Sequence, residues 1–224
     1  MTAHGRVKPA ESCRISDNQP TVDGLSVSRD ETSATIAAIV EEVEVEPLAN
    51  REETSPDGMV TIVFTDVERS TETLERLGED RWFQLMLSHN DIVRTTVSGH
   101  RGRVIKSQGD GFMMTFASAA AALECSIELQ RAFARHNEHN PNQRLPVRIG
   151  LHTGNIFQLE DDVLGKAVVM AARITGKARG GEILVSSASR EYTARLGRWR
   201  YDPRGQLRLK GLAGREQVYS LDWA

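Results

Sequence analysis

Two aspartates stand where carboxylates can do chemistry. Asp66 closely follows the apolar run Val60-Thr61-Ile62-Val63-Phe64 and precedes Ser70 and Thr71. Asp110 lies between two glycines, in Gly109-Asp110-Gly111. Taken singly, Asp66 reads equally as a helix N-cap and Asp110 as a turn residue. If their runs are neighbouring strands, the two carboxylates converge at one end of a sheet. Paired carboxylates with few other protein ligands suit Mg2+ or Mn2+, which fill their remaining positions with water and phosphate oxygens. Backbone N–H groups at a helix start near Glu68 to Thr71 offer a cradle for phosphate.

The elements that must position these residues follow from patterning. Val60 to Phe64 is rich in β-branched residues and predicts a buried strand. Glu68 to about Ser98 predicts helix with a break at Gly78. Arg103 to Lys106 and Phe112 to Phe116 predict strands joined by the Gly109-Asp110-Gly111 hairpin. Ser118 to Asn137 is alanine-rich and helical, with Ser118 as its N-cap and a stop before Pro141. Val147 to His152 is a further strand, Gly165 to Gly176 a helix ended by glycine, and Ile183 to Val185 a strand. Shorter strands follow near Trp199, Leu207 and Val218. The β-α-β-β-α-β order predicts an α+β fold, a ferredoxin-like antiparallel sheet with helices on one face.

Bulk properties bound the function. At 224 residues, 39% hydrophobic and 26% charged, the chain suits one folded domain plus extra sequence. A net charge of −3 gives no global basic field for nucleic acid or anionic lipid. Cys13 and Cys125 are in no metal-ligand spacing and predict no disulfide framework. No stretch approaches the roughly 18 apolar residues of a membrane span, so the expectation is a cytoplasmic protein without a membrane partner. Residues 1–57 read as a polar, largely disordered segment carrying the apolar patch Ile36 to Val40, and 58–224 as the folded domain.

Four ordered segments carry a family resemblance. Phe64-Thr65-Asp66-Val67-Glu68-Arg69-Ser70-Thr71 resembles the first metal motif of class III adenylyl and guanylyl cyclases, and Lys106-Ser107-Gln108-Gly109-Asp110-Gly111-Phe112 the second. Val147 to Gly154 resembles the family's central strand. Asp162 through Ala171-Ala172-Arg173, then Gly181 to Ser186, resembles its remaining active-site segment. The resemblance spans roughly Val60 to Tyr219 and implies the class III nucleotidyl cyclase fold.

What the resemblance implies can be carried over residue by residue. Asp66 and Asp110, with the backbone carbonyl of Val67, would bind two divalent cations, Mg2+ or Mn2+. Ser70 and Thr71 would contact substrate phosphates, and Arg173 would stabilise transition-state charge. Lys106 and Asp162 fall where the family selects its base. A lysine donates and a carboxylate accepts, which complements N1 and the 6-amino group of adenine and mismatches guanine. The implied reaction is ATP to 3′,5′-cyclic AMP and pyrophosphate. The implied assembly is a two-fold symmetric homodimer, with metal aspartates from one protomer and Lys106, Asp162 and Arg173 from the other.

One position departs from the family. Four residues before Arg173, where the family keeps an asparagine, this chain has Val169, which cannot hydrogen-bond. A slow enzyme, a substitute such as Lys166, and a degenerate cyclase that binds nucleotide for regulation all remain open. The other singled-out residues read as structural: His152 as a core or supporting residue, His136 and His139 as solvated at a helix end, and Cys125 as a small core residue. An RNA-recognition module shares the element order. However, Asp110 and Thr115 would then stand at aromatic stacking positions and Gln108 at a basic one, so nucleic acid is not an expected partner.

Overall fold

A computed structural model describes residues 59–159 and 162–224. The N-terminal segment with its Ile36 to Val40 patch, and Glu160 and Asp161 beside Asp162, lie outside the described residues.

The strand β1 (Val60–Val67) is the centre of the site-bearing half of the sheet. It pairs antiparallel with β3 (Gly111–Phe116) on one side and β4 (Val147–Gly154) on the other. With β2 (Arg103–Gln108), β7 (Ile183–Ser186), β8 (Tyr201–Leu207) and β9 (Glu216–Leu221), these strands form a seven-stranded sheet of order β2-β3-β1-β4-β7-β9-β8. Among the described residues only the β4–β7 pair is parallel. The block β2-β3-β1-β4 is the antiparallel ferredoxin-like core that the element order predicts, and β7, β9 and β8 extend it. A separate hairpin of β5 (Phe157–Leu159) and β6 (Asp162–Leu164) was not expected from the sequence.

The helices cover both faces of the sheet, not one. Val63 and Val67 pack with α2 (Glu79–Gly99) and α3 (Ala119–His139) in the larger core, which includes Leu85, Val93, Leu129 and Phe133. Val60 and Ile62 point the other way and pack with Ala167, Val168 and Ala171 of α4 (Lys166–Thr175). Alternation along a strand sends neighbours to opposite faces, so a run apolar at both parities must be covered twice. α1 (Ser70–Leu77) and α5 (Ser187–Ala194) complete the set; α5 is an additional helix, and the strands expected near Trp199 and Leu207 are the single strand β8.

Several local expectations hold in detail. Gly78 separates α1 from α2 with φ 78°. The Ser118 side chain caps α3 by accepting from the Ala121 amide at 3.4 Å. Cys125 is buried in the larger core, and burial pushes its thiol up to about 12. His139 is exposed, but His136 is half-buried and lies 3.3 Å from the Gln143 carbonyl, so it ties the helix end to the following loop rather than being solvated.

α4 lies unusually close to β4. A Cβ at Gly150 would overlap the Thr175 Oγ1 and backbone N and would stand 2.6 Å from its Cα. Gly150→Ala should therefore cost about 1–3 kcal/mol through forced separation of helix and strand. Thermal unfolding should show a melting point several degrees lower, with Gly99→Ala, which meets nothing within 4 Å, as the comparison.

Candidate active site

The two aspartates meet because of strand register. Thr65 pairs with Phe112 across β1 and β3, which brings the β2–β3 turn alongside the end of β1. That turn is Gly109-Asp110, with Gln108 opposite Gly111. Gly109 has φ 59°, the left-handed value a two-residue hairpin needs at its first central position. The Val67 amide then donates to Asp110 Oδ2 at 3.3 Å, so the backbone group that holds Asp110 belongs to the residue immediately after Asp66. The Phe112 amide donates to Thr65 Oγ1 at 3.3 Å and pins the turn further.

After Glu68 the chain turns sharply. Arg69 sits in the left-handed region, φ 58° and ψ 40°, and no side chain caps α1. The turn starts α1 at Ser70, so Ser70 and Thr71 line the same groove as Asp66 and Asp110. The groove has a volume of about 630 Å³.

Asp66 has a partner that sequence reasoning missed. Arg148 stands directly opposite it in the β1–β4 register. The guanidinium donates Nε–H to Asp66 Oδ2 at 2.7 Å, and its Nη2 also donates to that oxygen. The sequence carried only a slight signal, one formally charged residue in an otherwise uncharged strand. Lys210, in the loop between β8 and β9, also lines the groove, and its carbonyl accepts from Arg173 Nε at 3.1 Å.

The other expected residues come together as well. Lys106 Nζ donates to Asp162 Oδ2 at 2.6 Å, across 56 positions of sequence. Lys106 and Arg173 line the groove that holds the aspartates. Val169, one turn before Arg173, is half-buried and is not among the groove-lining residues; its neighbour Val168 is. In all, Lys106, Arg148, Arg173, Lys177 and Lys210 line the groove with Asp66 and Asp110, an excess of positive charge that suits a polyanion.

The acid pair fits a hard divalent cation in its donor chemistry. It supplies two carboxylates but no sulfur or imidazole, the set that Mg2+ and Mn2+ favour when water and phosphate complete the shell. Among the described residues no group of three or more His, Cys, Asp or Glu could hold a metal, so an ion at Asp66 and Asp110 would complete its shell with other oxygens.

Two histidines lie near the groove without lining it, His89 fully buried and His152 half-buried. His89 on α2 is fully buried, with its ring 5.6 Å from Phe112 and 5.4 Å from Phe133. Burial lowers its pKa, against an upward pull from Asn90, Asp110 and Asp66. His152 on β4 lies 2.9 Å from Ser186 Oγ, the side chain that caps α5. Desolvation, helped by the Lys166 charge, holds its pKa down to about 4.

A family model described as Adenylate and Guanylate cyclase catalytic domain matches residues 52–222. The chain is similar to Putative adenylate cyclase 3 of Rhizobium meliloti, 33% identical over 135 residues, 60% of this chain and 23% of that protein. It is equally similar to Uncharacterized protein Rv0891c of Mycobacterium tuberculosis, 33% identical over 173 residues, 74% of this chain and 56% of that one. The chain thus spans less than two thirds of these curated relatives. Its fold resembles that of the adenylyl cyclase CyaB from P. aeruginosa, with TM-score 0.68, 22% identity, and coverage of 73% of this chain and 93% of that one. It also resembles an Adenylate/Guanylate Cyclase/Hydrolase from Silicibacter pomeroyi, with TM-score 0.65, 26% identity, and coverage of 73% and 95%.

The two histidines make stability depend on pH. An unfolded histidine protonates near pH 6.5, whereas folded His152 stays neutral down to about 4. As pH falls through that window the unfolded chain gains a proton that the fold refuses, so stability drops. Urea midpoints at pH 7 and pH 5 should show this loss, and His152→Asn should reduce it, leaving the part due to His89.

Proposed function

Because the chain belongs to the adenylate and guanylate cyclase catalytic-domain family, we propose that it converts ATP to 3′,5′-cyclic AMP and pyrophosphate. The observation that carries the reading is the convergence of Asp66 and Asp110 at one sheet end, with the Lys106–Asp162 pair and Arg173 on the same side of the sheet, where a second protomer's aspartates can reach them.

Each residue then has a role. Lys106 donates to adenine N1, and Asp162 accepts from its 6-amino group. Guanine has the reverse polarity and would leave both protein groups unsatisfied, at roughly 1–3 kcal/mol each. The amides and hydroxyls of Ser70 and Thr71 face the phosphates at the start of α1. Lys210 and Arg148 supply positive charge along the triphosphate, and Arg173 offsets the charge that grows on the α-phosphate as the ribose 3′-oxygen attacks. Asp66, Asp110 and the Val67 carbonyl would hold two divalent cations, Mg2+ or Mn2+. When bound, these lower the pKa of the 3′-hydroxyl and neutralise the triphosphate.

The assembly is a two-fold symmetric homodimer formed by domain 58–224. Each protomer carries both sets of residues on one face of its sheet, so a two-fold axis through that face generates two equal sites. Among the described residues no helix is long and apolar enough to cross a membrane. A second reading, a nucleotide-binding regulatory domain of low activity, is favoured by Val169 alone.

The decisive assay is conversion of ATP and of GTP by the purified chain with Mg2+ and with Mn2+. ATP turnover is expected; no cyclic product under any of the four conditions would sink the proposal and favour the regulatory reading. Asp66→Ala and Arg173→Ala should each reduce cyclic AMP formation at least 100-fold, and mixing the two variants should restore part of it. Failure of that rescue would assign the whole site to one protomer.

Val169→Asn should raise kcat about tenfold or more with little change in KM. A preorganised donor absent from a site of this kind costs about 10²–10³ in rate.

A further inference from the structure

The contact between Arg148 and Asp66 has a use beyond binding phosphate. Building on the two-cation reading above, we propose that Arg148 is an internal counter-ion that occupies the first metal carboxylate and keeps free divalent cation out until an anionic substrate draws the guanidinium away.

Three observations lead here. The contact is made by two N–H donors converging on one oxygen, Oδ2, which a cation would otherwise take. It is set by register, because Arg148 and Asp66 are directly opposed on neighbouring strands. It is also sheltered: the Arg148 side chain is 14% exposed and that of Asp66 28%, so water screens the pair less than a surface ion pair. The guanidinium takes the lone pairs of Oδ2 and sets a positive charge beside any cation that would bind the carboxylate, so each weakens the other's hold on Asp66. An incoming polyphosphate offers Arg148 several charged oxygens, the geometry its planar fork prefers. Phosphate binding and cation binding at Asp66 are then coupled, and coupling of this kind is reciprocal.

The proposal separates Arg148 from the other groove cations. Lys106 is held by Asp162 at 2.6 Å and adds charge near the site without this contact on Asp66.

The test is binding of Mn2+ alone to the full chain, read from the electron paramagnetic resonance signal of free Mn2+ with no nucleotide present. Arg148→Gln should bind Mn2+ about tenfold more tightly than the wild type, and Lys106→Gln should change it much less. Arg148→Lys, a milder change that keeps a charge in the strand, should also bind more tightly than the wild type and carries the test if Arg148→Gln does not fold. Pyrophosphate binding in EDTA, followed by calorimetry, supplies the other half. Asp66→Asn should tighten it several-fold, and that gain should vanish in the Arg148→Gln background.

Equal Mn2+ affinity in wild type and both Arg148 variants overturns the counter-ion, as does an equal gain in Lys106→Gln. So does an Asp66→Asn gain that survives without Arg148. If instead Asp66→Asn leaves Mn2+ binding unchanged, the metal assignment of Asp66 itself fails, a result distinct from the others.

Discussion

The antiparallel register of β1 between β3 and β4 is the constraint on which the rest depends. It sets Thr65 against Phe112 and Asp66 against Arg148. From the first pairing comes the position of the Gly109-Asp110 turn, and from the second the partner of the first carboxylate. A slip of one residue would send Asp66 into the hydrocarbon side and Val67 into the groove. The larger core prevents that slip, since Val63 and Val67 are both about fully buried in it.

Around this register the polar groups form two kinds of arrangement. One is a closed set: Thr61, Thr153, Ser189, Ser186 and His152 hydrogen-bond in sequence. Those in the groove are open or provisional. Lys106 and Asp162 satisfy each other at moderate exposure, Arg148 satisfies Asp66, and the αL turn at Arg69 begins α1 with no side-chain cap. Such pairs are exchangeable for ligand groups of matching polarity, whereas the closed set has no reason to open.

Much of this was legible in the sequence because it is local. A β-branched run, a glycine-flanked aspartate and a serine before an alanine-rich stretch each state their own geometry, and β1, the hairpin and the α3 cap follow. The one-sided helix layer was a misreading of β1, whose Val60, Ile62 and Val63 are apolar at both parities and so demand cover on both faces. The β5–β6 hairpin escaped because three-residue strands leave no period to detect, and α5 because Ser187-Ala188-Ser189 reads as loop. Lys106 and Asp162 were found through family resemblance; only folding brings residues 56 positions apart to 2.6 Å. Arg148 needed the β1–β4 register, which no single segment contains.

The alternation of β1 and β4 divides labour between the two sides of one sheet. Val63 and Val67, with Ile149 and Leu151, face the larger core, while Asp66 and Arg148 belong to the opposite side with α4. Cohesion and reactivity are thereby written into alternate letters of the same strands. Drift in one set can proceed with little penalty in the other, so a lineage built on this plan is free to retune its chemistry without first rebuilding its scaffold.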